Sequence, residues 1–255
     1  MHETQQFYDG IAENYQFIYA DWAQSVRWQG DFLTAFFSGL GITPPQHILD
    51  CTCGIGTQAI ALALKGYHVH GTDLSPKEIE QAQYIATRFK LPHPVTFEVA
   101  DLLDLPQKPT QYNLVMAFDN PIAHFHTEAD LLQAFTVMAS QTKNGGVITT
   151  SLRDYDNLIE KKPNQSPVSV THSDGKRRIM FQVWDWLDDS SGYHAEMFVL
   201  MKKGNKWQTT SHKTQMRAWQ RADVTRILQQ AGLGAIQWHM PDDSGFYQPI
   251  VTARK

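Results

Sequence analysis

Apolar residues recur along this chain with different periods in different stretches. Over residues 1–45, Phe7, Tyr8, Tyr15, Tyr19, Trp22 and Trp28 are spread among polar positions and lead into the amphipathic run Phe32-Leu33-Thr34-Ala35-Phe36-Phe37, a helical pattern that Pro44-Pro45 stops. From residue 46 to 152, short β-rich runs alternate with helical ones; strands are predicted at 46–49, 67–72, 95–100, 112–118 and 146–152. That alternation demands a parallel sheet with helices on both faces. Ser75-Pro76-Lys77-Glu78 supplies an N-cap, a first-turn proline and a capping-box glutamate, so a helix starts just after Asp73.

Beyond Asp154 the runs lengthen. Residues 178–187, 193–202 and 206–216 are strand-like and are separated by Asp188-Asp189-Ser190-Ser191-Gly192 and Lys203-Gly204-Asn205, which predicts an antiparallel meander. A helix at 221–230 ends at Gly232, and a hairpin at 235–239 and 246–253 returns to the parallel sheet, making the meander an insertion. The expected architecture is α/β: a doubly wound, Rossmann-like sheet of seven strands, mostly parallel with the last antiparallel. The expected parts are a helical cap (1–45), a core (46–153), an antiparallel β insertion (154–216) and a completion of the core (217–255). The insertion strands are also candidates to pair across a homodimer.

With 255 residues and 42% hydrophobic content, the chain can bury one α/β core plus an elaboration. Its 22 basic and 26 acidic residues give a net charge of −4, which offers no general attraction to nucleic acid or anionic membranes. The N-terminus lacks a basic segment followed by an apolar run, and the longest apolar stretch, 59–64, is too short to span a bilayer, so a soluble cytoplasmic protein is expected. Cys51 and Cys53, the two cysteines, are one residue apart on a strand-to-turn segment, poor geometry for a mutual disulfide. No His/Cys/Asp/Glu spacing typical of a metal site accompanies them, and no metal is expected.

The chemistry is concentrated at Leu49-Asp50-Cys51-Thr52-Cys53-Gly54-Ile55-Gly56, directly after the first strand. Gly54 and Gly56 let the backbone approach a ligand, and the helix beginning near Gln58 turns its N-terminal amides toward it. Asp73 ends the second strand, 23 positions after Asp50, where a carboxylate accepts hydrogen bonds from both hydroxyls of a ribose. Gly54-Ile55-Gly56-Thr57-Gln58-Ala59 also satisfies the dinucleotide fingerprint, so the glycines alone leave a nicotinamide cofactor open. Asp50 decides against it, because it would repel a pyrophosphate and suits an ammonium group. Asp101, just after the third strand, is placed to accept from an adenine amino group. No tyrosine is followed four positions later by lysine, so the short-chain dehydrogenase pair is missing. The three aspartates mark an adenosine with a cationic amino-acid tail.

These segments resemble the first three motifs of class I S-adenosylmethionine-dependent methyltransferases: Leu49 to Gly56, Thr72-Asp73-Leu74-Ser75 and Ala100-Asp101-Leu102. Thr52 stands where that superfamily usually has glycine, and Asn113 where it often has aspartate. The resemblance implies a seven-stranded methyltransferase sheet and a cofactor site including Asp50, Cys51, Thr52, Gly54, Gly56, Asp73, Leu74, Asp101 and Leu102.

A narrower resemblance, to glycine and sarcosine N-methyltransferases, runs through Asp119-Asn120-Pro121-Ile122-Ala123-His124-Phe125 and Ser151-Leu152-Arg153-Asp154-Tyr155-Asp156. It implies that Asn120 and Arg153 hold a substrate carboxylate, a task suited to the planar fork of arginine, and that Phe118 and His124 line the cofactor side. It also makes Tyr15, Tyr19 and Trp22 candidates to cover the sulfonium, and Arg27 a candidate for the methionine carboxylate. Tyr193, Arg217 and Tyr247 are further candidates to enter the cleft from the insertion and the last hairpin. The expected function is direct in-line methyl transfer to a small molecule, most specifically the amine of an amino acid such as glycine or sarcosine, with no side chain assigned as acid or base. Two alternatives stand beside it. In a nucleic-acid amino-methyltransferase, Ile122 and Ala123 would occupy the places of the second proline and the stacking aromatic of an Asn-Pro-Pro-Tyr motif. A non-catalytic adenosine-binding protein would keep the fold without needing all three aspartates.

Overall fold

The computed structural model of the chain describes residues 3–19, 21–106, 111–173 and 175–255. Two helices, α1 (Glu3–Tyr15) and α2 (Trp22–Gly39), precede an alternating series: β1 (His47–Asp50), α3 (Thr57–Leu64), β2 (His68–Asp73), α4 (Pro76–Ala86), β3 (Thr96–Val99), β4 (Tyr112–Ala117), α5 (Glu128–Gln141) and β5 (Thr142–Ser151). After α6 (Tyr155–Lys161) come four strands, β6 (Ser169–Ser173), β7 (Lys176–Trp186), β8 (Gly192–Lys203) and β9 (Lys206–Arg217), and then α7 (Arg221–Gln230), β10 (Gly234–His239), α8 (Pro241–Ser244) and β11 (Ile250–Arg254).

Seven strands form one sheet in the order β10-β11-β5-β4-β1-β2-β3, parallel except where β11 runs against both neighbours. The other four form an antiparallel sheet in sequential order. From β1 the chain steps outward through β2 and β3, then returns to the other side of β1 as β4, with Asp50 opposite both Gly71 and Met116. Such a reversal opens a crevice beyond the carboxyl ends of β1 and β4, and every loop of the site described below leaves from that edge.

Both faces of the central strands are covered, which is why they read as almost unbroken apolar runs. Neighbouring residues point to opposite sides: Ile48, Leu114 and Met116 join a core with Leu33 and Phe37 of α2 and Leu62 of α3. Leu49, Val115 and Ala117 join the other, with Phe135 and Met138 of α5 and Ile227 of α7. This second core continues without a break into Trp184, Tyr193 and Met216, which fastens the antiparallel sheet to the parallel one. A smaller cluster seats Phe7 and Ile11 of α1 on Met180, Met197 and Val199. The N-terminal helices thus lie over the crevice and touch both sheets.

Two local expectations change. Helix α2 ends at Gly39 rather than at the prolines; Leu40 caps it and Gly41 turns the chain at φ +83°, a conformation open to glycine. Helix α6 and strand β6 have no counterpart in the hydrophobic pattern, because α6 buries only Tyr155 and β6 is a five-residue edge strand with Val170 half exposed. Among the described residues no helix is long and apolar enough to cross a membrane.

Candidate active site

The first loop of the site folds around Gly54, which has φ +51°; a Cβ there would lie 3.0 Å from Oε2 of Glu78. Its amide donates to Oδ2 of Asp73 at 2.9 Å, while the Ser75 amide donates to Oδ1 at 2.9 Å, so the Asp73 carboxylate is held from two sides. Ser75 caps α4 by accepting from the Glu78 amide at 3.1 Å. Asp73 takes the bond that a reciprocal capping box would give to Glu78. The Glu78 carboxylate therefore stays buried without a close hydrogen-bond partner, the Ile55 amide alone opposing the rise in its pKa, and Oδ2 of Asp50 and the hydroxyl of Thr52 likewise lack partners. Burial raises Glu78 well above the usual carboxylate range, with Asp73 and Asp9 adding repulsion. It raises Asp50 to about 8, a rise the Thr52 amide only partly opposes, and Asp73 to about 6. Asp101 accepts from the Leu103 amide at 2.9 Å.

A cavity of about 210 Å³ opens over these loops. Of the residues expected at the cofactor, Tyr15, Tyr19, Cys51, Thr52, Gly54, Asp73, Leu74, Asp101, Leu102, Phe118 and His124 line it. Burial pushes the Cys51 and Cys53 thiols up, so both remain protonated packing groups. Helix α1 forms part of the roof, where the Tyr8 hydroxyl lies 2.9 Å from Nε2 of His124. A second cavity, of about 380 Å³, lies between the N-terminal helices and the antiparallel sheet and includes Asn120, Arg153 and Tyr247 in its wall. Tyr8, Tyr15, Tyr19 and Asp119 border both cavities and form the neck between them.

Six expected site residues stand elsewhere. Trp22 lies one layer back, donating to the Thr57 hydroxyl at 3.0 Å, and it is Thr57 that lines the cavity. Arg27 is exposed on α2, on the side away from the buried face, and reaches neither cavity. Asp50 sits beneath the loop, only 1% exposed, rather than in the wall. Gly56 serves packing: at φ +83° a Cβ would come within 3.0 Å of Phe97 and 3.2 Å of Ile60. Tyr193 is fully buried behind Arg153, whose Nη1 donates to its hydroxyl. Arg217 lies over the Trp219 ring at 5.2 Å, outside both cavities. Asn120 borders the second cavity, but its amide is engaged: Nδ2 donates to Tyr155 at 3.0 Å and Oδ1 accepts from the Arg153 backbone at 3.1 Å.

The residues present fit S-adenosylmethionine. Unpartnered carboxylate oxygens beneath and beside the loop suit a cationic tail, Asp73 retains accepting capacity for a ribose, and Leu74 and Leu102 supply apolar walls near Asp101. A nicotinamide dinucleotide would bring a pyrophosphate against Asp50 and Glu78. Ile122 and Ala123, both fully buried, leave no stacking surface for an extruded base.

Residues 48–146 match the family model described as a methyltransferase domain. Over 76 residues the chain is 37% identical to norajmaline N-methyltransferase of Rauvolfia serpentina, covering 29% of this chain and 26% of that protein. A 128-residue match to glycine N-methyltransferase of Oryctolagus cuniculus is 26% identical and covers 45% of this chain and 43% of that protein. The chain spans 26% to 50% of the length of the first curated relatives it matches, and both N- and O-methyltransferases occur among the relatives. The fold is shared over nearly the whole chain with CalS10, an amino pentose methyltransferase from Micromonospora echinaspora solved with S-adenosylmethionine bound: the TM-score is 0.70 at 16% identity, covering 95% of both chains.

Proposed function

We propose that the chain transfers a methyl group from S-adenosylmethionine to the amine of a small molecule that bears a carboxylate, a class that includes glycine and sarcosine. The observation that carries this reading is Arg153. Its guanidinium borders the second cavity and is held by neutral groups: the Tyr193 hydroxyl, Oε1 of Gln182 at 3.2 Å and the face of Trp184 at 4.7 Å. Among the described residues no carboxylate pairs with it. A guanidinium built into a wall with no carboxylate in direct contact favours an anionic ligand that uses its remaining donors, and a carboxylate matches the fork.

When bound, S-adenosylmethionine supplies a methyl group on a positively charged leaving sulfur. The chain's own contribution is then to hold, orient and exclude water. Asp73 and Asp101 would fix the adenosine, and Asp50 and Glu78 would favour the cationic tail. Tyr8, Tyr15 and Tyr19 close the neck, where their rings and hydroxyl oxygens favour positive charge. Positioning of this kind contributes roughly 7 to 11 kcal/mol to a bimolecular step.

Incubation with labelled S-adenosylmethionine and a panel of amines, alcohols and carbon acids tests the reading. Transfer to carboxylate-bearing amines is expected, and transfer confined to hydroxyl or carbon acceptors would overturn it. Arg153→Ala should raise KM for the acceptor roughly 10- to 100-fold, the loss of a charged hydrogen-bonding partner, with little change in S-adenosylhomocysteine binding.

A further inference from the structure

The neck between the cavities holds a carboxylate that the reading above does not use. Asp119 and Asn120 follow β4 with φ of +71° and +72°, two successive non-glycine residues in the left-handed region. Each such residue costs on the order of 1 to 3 kcal/mol and persists only where its surroundings fix it. They do so here: the Asp119 amide donates to Oγ of Ser151 at 2.9 Å, and its carboxylate accepts from Gln58 at 2.7 Å, Tyr19 at 3.3 Å and Tyr247. Asp119 is the acidic residue that borders both cavities, and among the described residues it is the acidic group in the wall of the second. The rest of that wall is largely apolar and rich in methionine, with Ile11, Ile18, Met180, Met197 and Met216.

We propose that Asp119 receives the ammonium end of the acceptor and takes its proton, and that the acceptor carries an apolar substituent packed against Met180, Met197 and Ile11. This rests on the second cavity being the acceptor site. The step balances simply: an N–H bond of the ammonium breaks, its electron pair stays on nitrogen as the attacking lone pair, and the proton forms an O–H bond on Asp119 and leaves later to water. Burial raises Asp119 above the usual carboxylate range, which brings its basicity nearer to that of an amine, while hydrogen bonds from Tyr247, Gln58 and Tyr19 and the charge of Arg153 limit the rise. Asp50 below and Tyr8 and Tyr15 above complete the titratable surroundings. Glycine would leave the apolar wall untouched, whereas flexible methionine side chains adapt to a larger body.

The test uses the full chain. With S-adenosylhomocysteine saturating, glycine, sarcosine, leucine and phenylalanine are compared by thermal shift and, with labelled S-adenosylmethionine, by kcat and KM. Leucine or phenylalanine should have a KM at least tenfold below that of glycine. Asp119→Asn should lower kcat about 100-fold or more with less than a tenfold change in KM, and abolish the acidic limb of the pH–rate profile. It should still be stabilised by S-adenosylhomocysteine, which reports folding separately from turnover. Tyr247→Phe, which removes a donor to the ionised carboxylate, should move that limb to higher pH. Preference for glycine, an Asp119→Asn enzyme with unchanged kcat and pH profile, or an acceptor panel without any shift overturns the proposal. No stabilisation of the wild-type chain by S-adenosylhomocysteine marks instead the failure of the methyltransferase reading on which it stands.

Discussion

Asp50→Asn should make the ligand-free chain more stable while weakening its hold on the cofactor. Asp50 is 1% exposed, Oδ2 has no hydrogen-bond partner, and burial raises its carboxyl to about 8. At pH 7 the folded chain therefore holds a proton that the unfolded chain, with its ordinary carboxyl, has lost about three pH units lower. That difference costs the folded state at most about 4 kcal/mol. An amide in the same place remains poorly partnered and gives back roughly 1 to 2 kcal/mol, leaving a net gain of about 2 kcal/mol, or roughly 4 to 8 °C in Tm for a chain of this size. The sign of the pH dependence is fixed by the direction of the shift. Between the ordinary carboxyl range and about pH 8 the native state binds the extra proton, so wild-type stability falls as pH rises through this window. Below it both states are protonated and the disadvantage vanishes. Asp50→Asn should thus be slightly less stable than wild type near pH 4, where only the cost of the amide remains, and gain on it steadily toward pH 8. Isothermal titration with S-adenosylhomocysteine, whose tail carries an ammonium, should show at least tenfold weaker binding by the variant. A difference that does not shift in the variant's favour as pH rises, or undiminished binding, would refute the account of Asp50 as a buried acid that ionises against the cationic tail of the ligand.

Other substitutions separate the parts of the site. Gly56→Ala, which forces a methyl group toward Phe97 and Ile60 at positive φ, should lower Tm by an amount equivalent to about 1 to 2 kcal/mol while S-adenosylhomocysteine still binds. Gly54→Ala, directed at the Glu78 carboxylate in the wall of the first cavity, should instead weaken binding, and titration calorimetry distinguishes the two. Asp73→Asn loses an acceptor held by two amides and should reduce affinity for S-adenosylhomocysteine by roughly 10- to 100-fold, with adenosine-free ligands unaffected. Asp9 of α1 accepts from the Ser75 hydroxyl at 2.6 Å and ties the roof to the start of α4; Asp9→Ala should speed dissociation of S-adenosylhomocysteine several-fold in stopped-flow fluorescence.

How far the sequence could be read depended on whether a side chain's direction is set locally. Cys51 to Gly54, Asp73 and Asp101 leave strands whose ends are marked by apolar runs and turns, so knowing the strand placed the residue at the crevice. Arg27 was readable too, but through periodicity rather than resemblance. Val26, Gln29, Gly30, Leu33 and Phe37 form the buried stripe of α2, and position 27 falls off it. Arg217 yields to the same reasoning with a period of two: Met216 borders the second cavity, so its neighbour on β9 faces away.

Tyr193 is of another kind. It pairs with both Trp186 and Met216 across the antiparallel sheet and so shares the cavity-facing side, yet it is covered because Arg153 and Tyr155, arriving from the end of β5, lie upon it. No pattern within 178–217 encodes that overlap. The same holds for Asp119, whose carboxylate is fixed by Tyr19, Gln58 and Tyr247 from three separate stretches of chain. The cofactor half of the site is built from consecutive loops on one sheet edge and is therefore written locally. The proposed acceptor half exists only where the two sheets and the N-terminal helices meet, so on this reading a change of acceptor needs repacking at that junction and can leave the motifs around Gly54 and Asp73 untouched. Chains alike over residues 48–146 can on this account differ entirely in what they methylate, and exchanging the N-terminal helices together with the insertion between two such chains should transfer acceptor preference while S-adenosylhomocysteine affinity stays with the parent core.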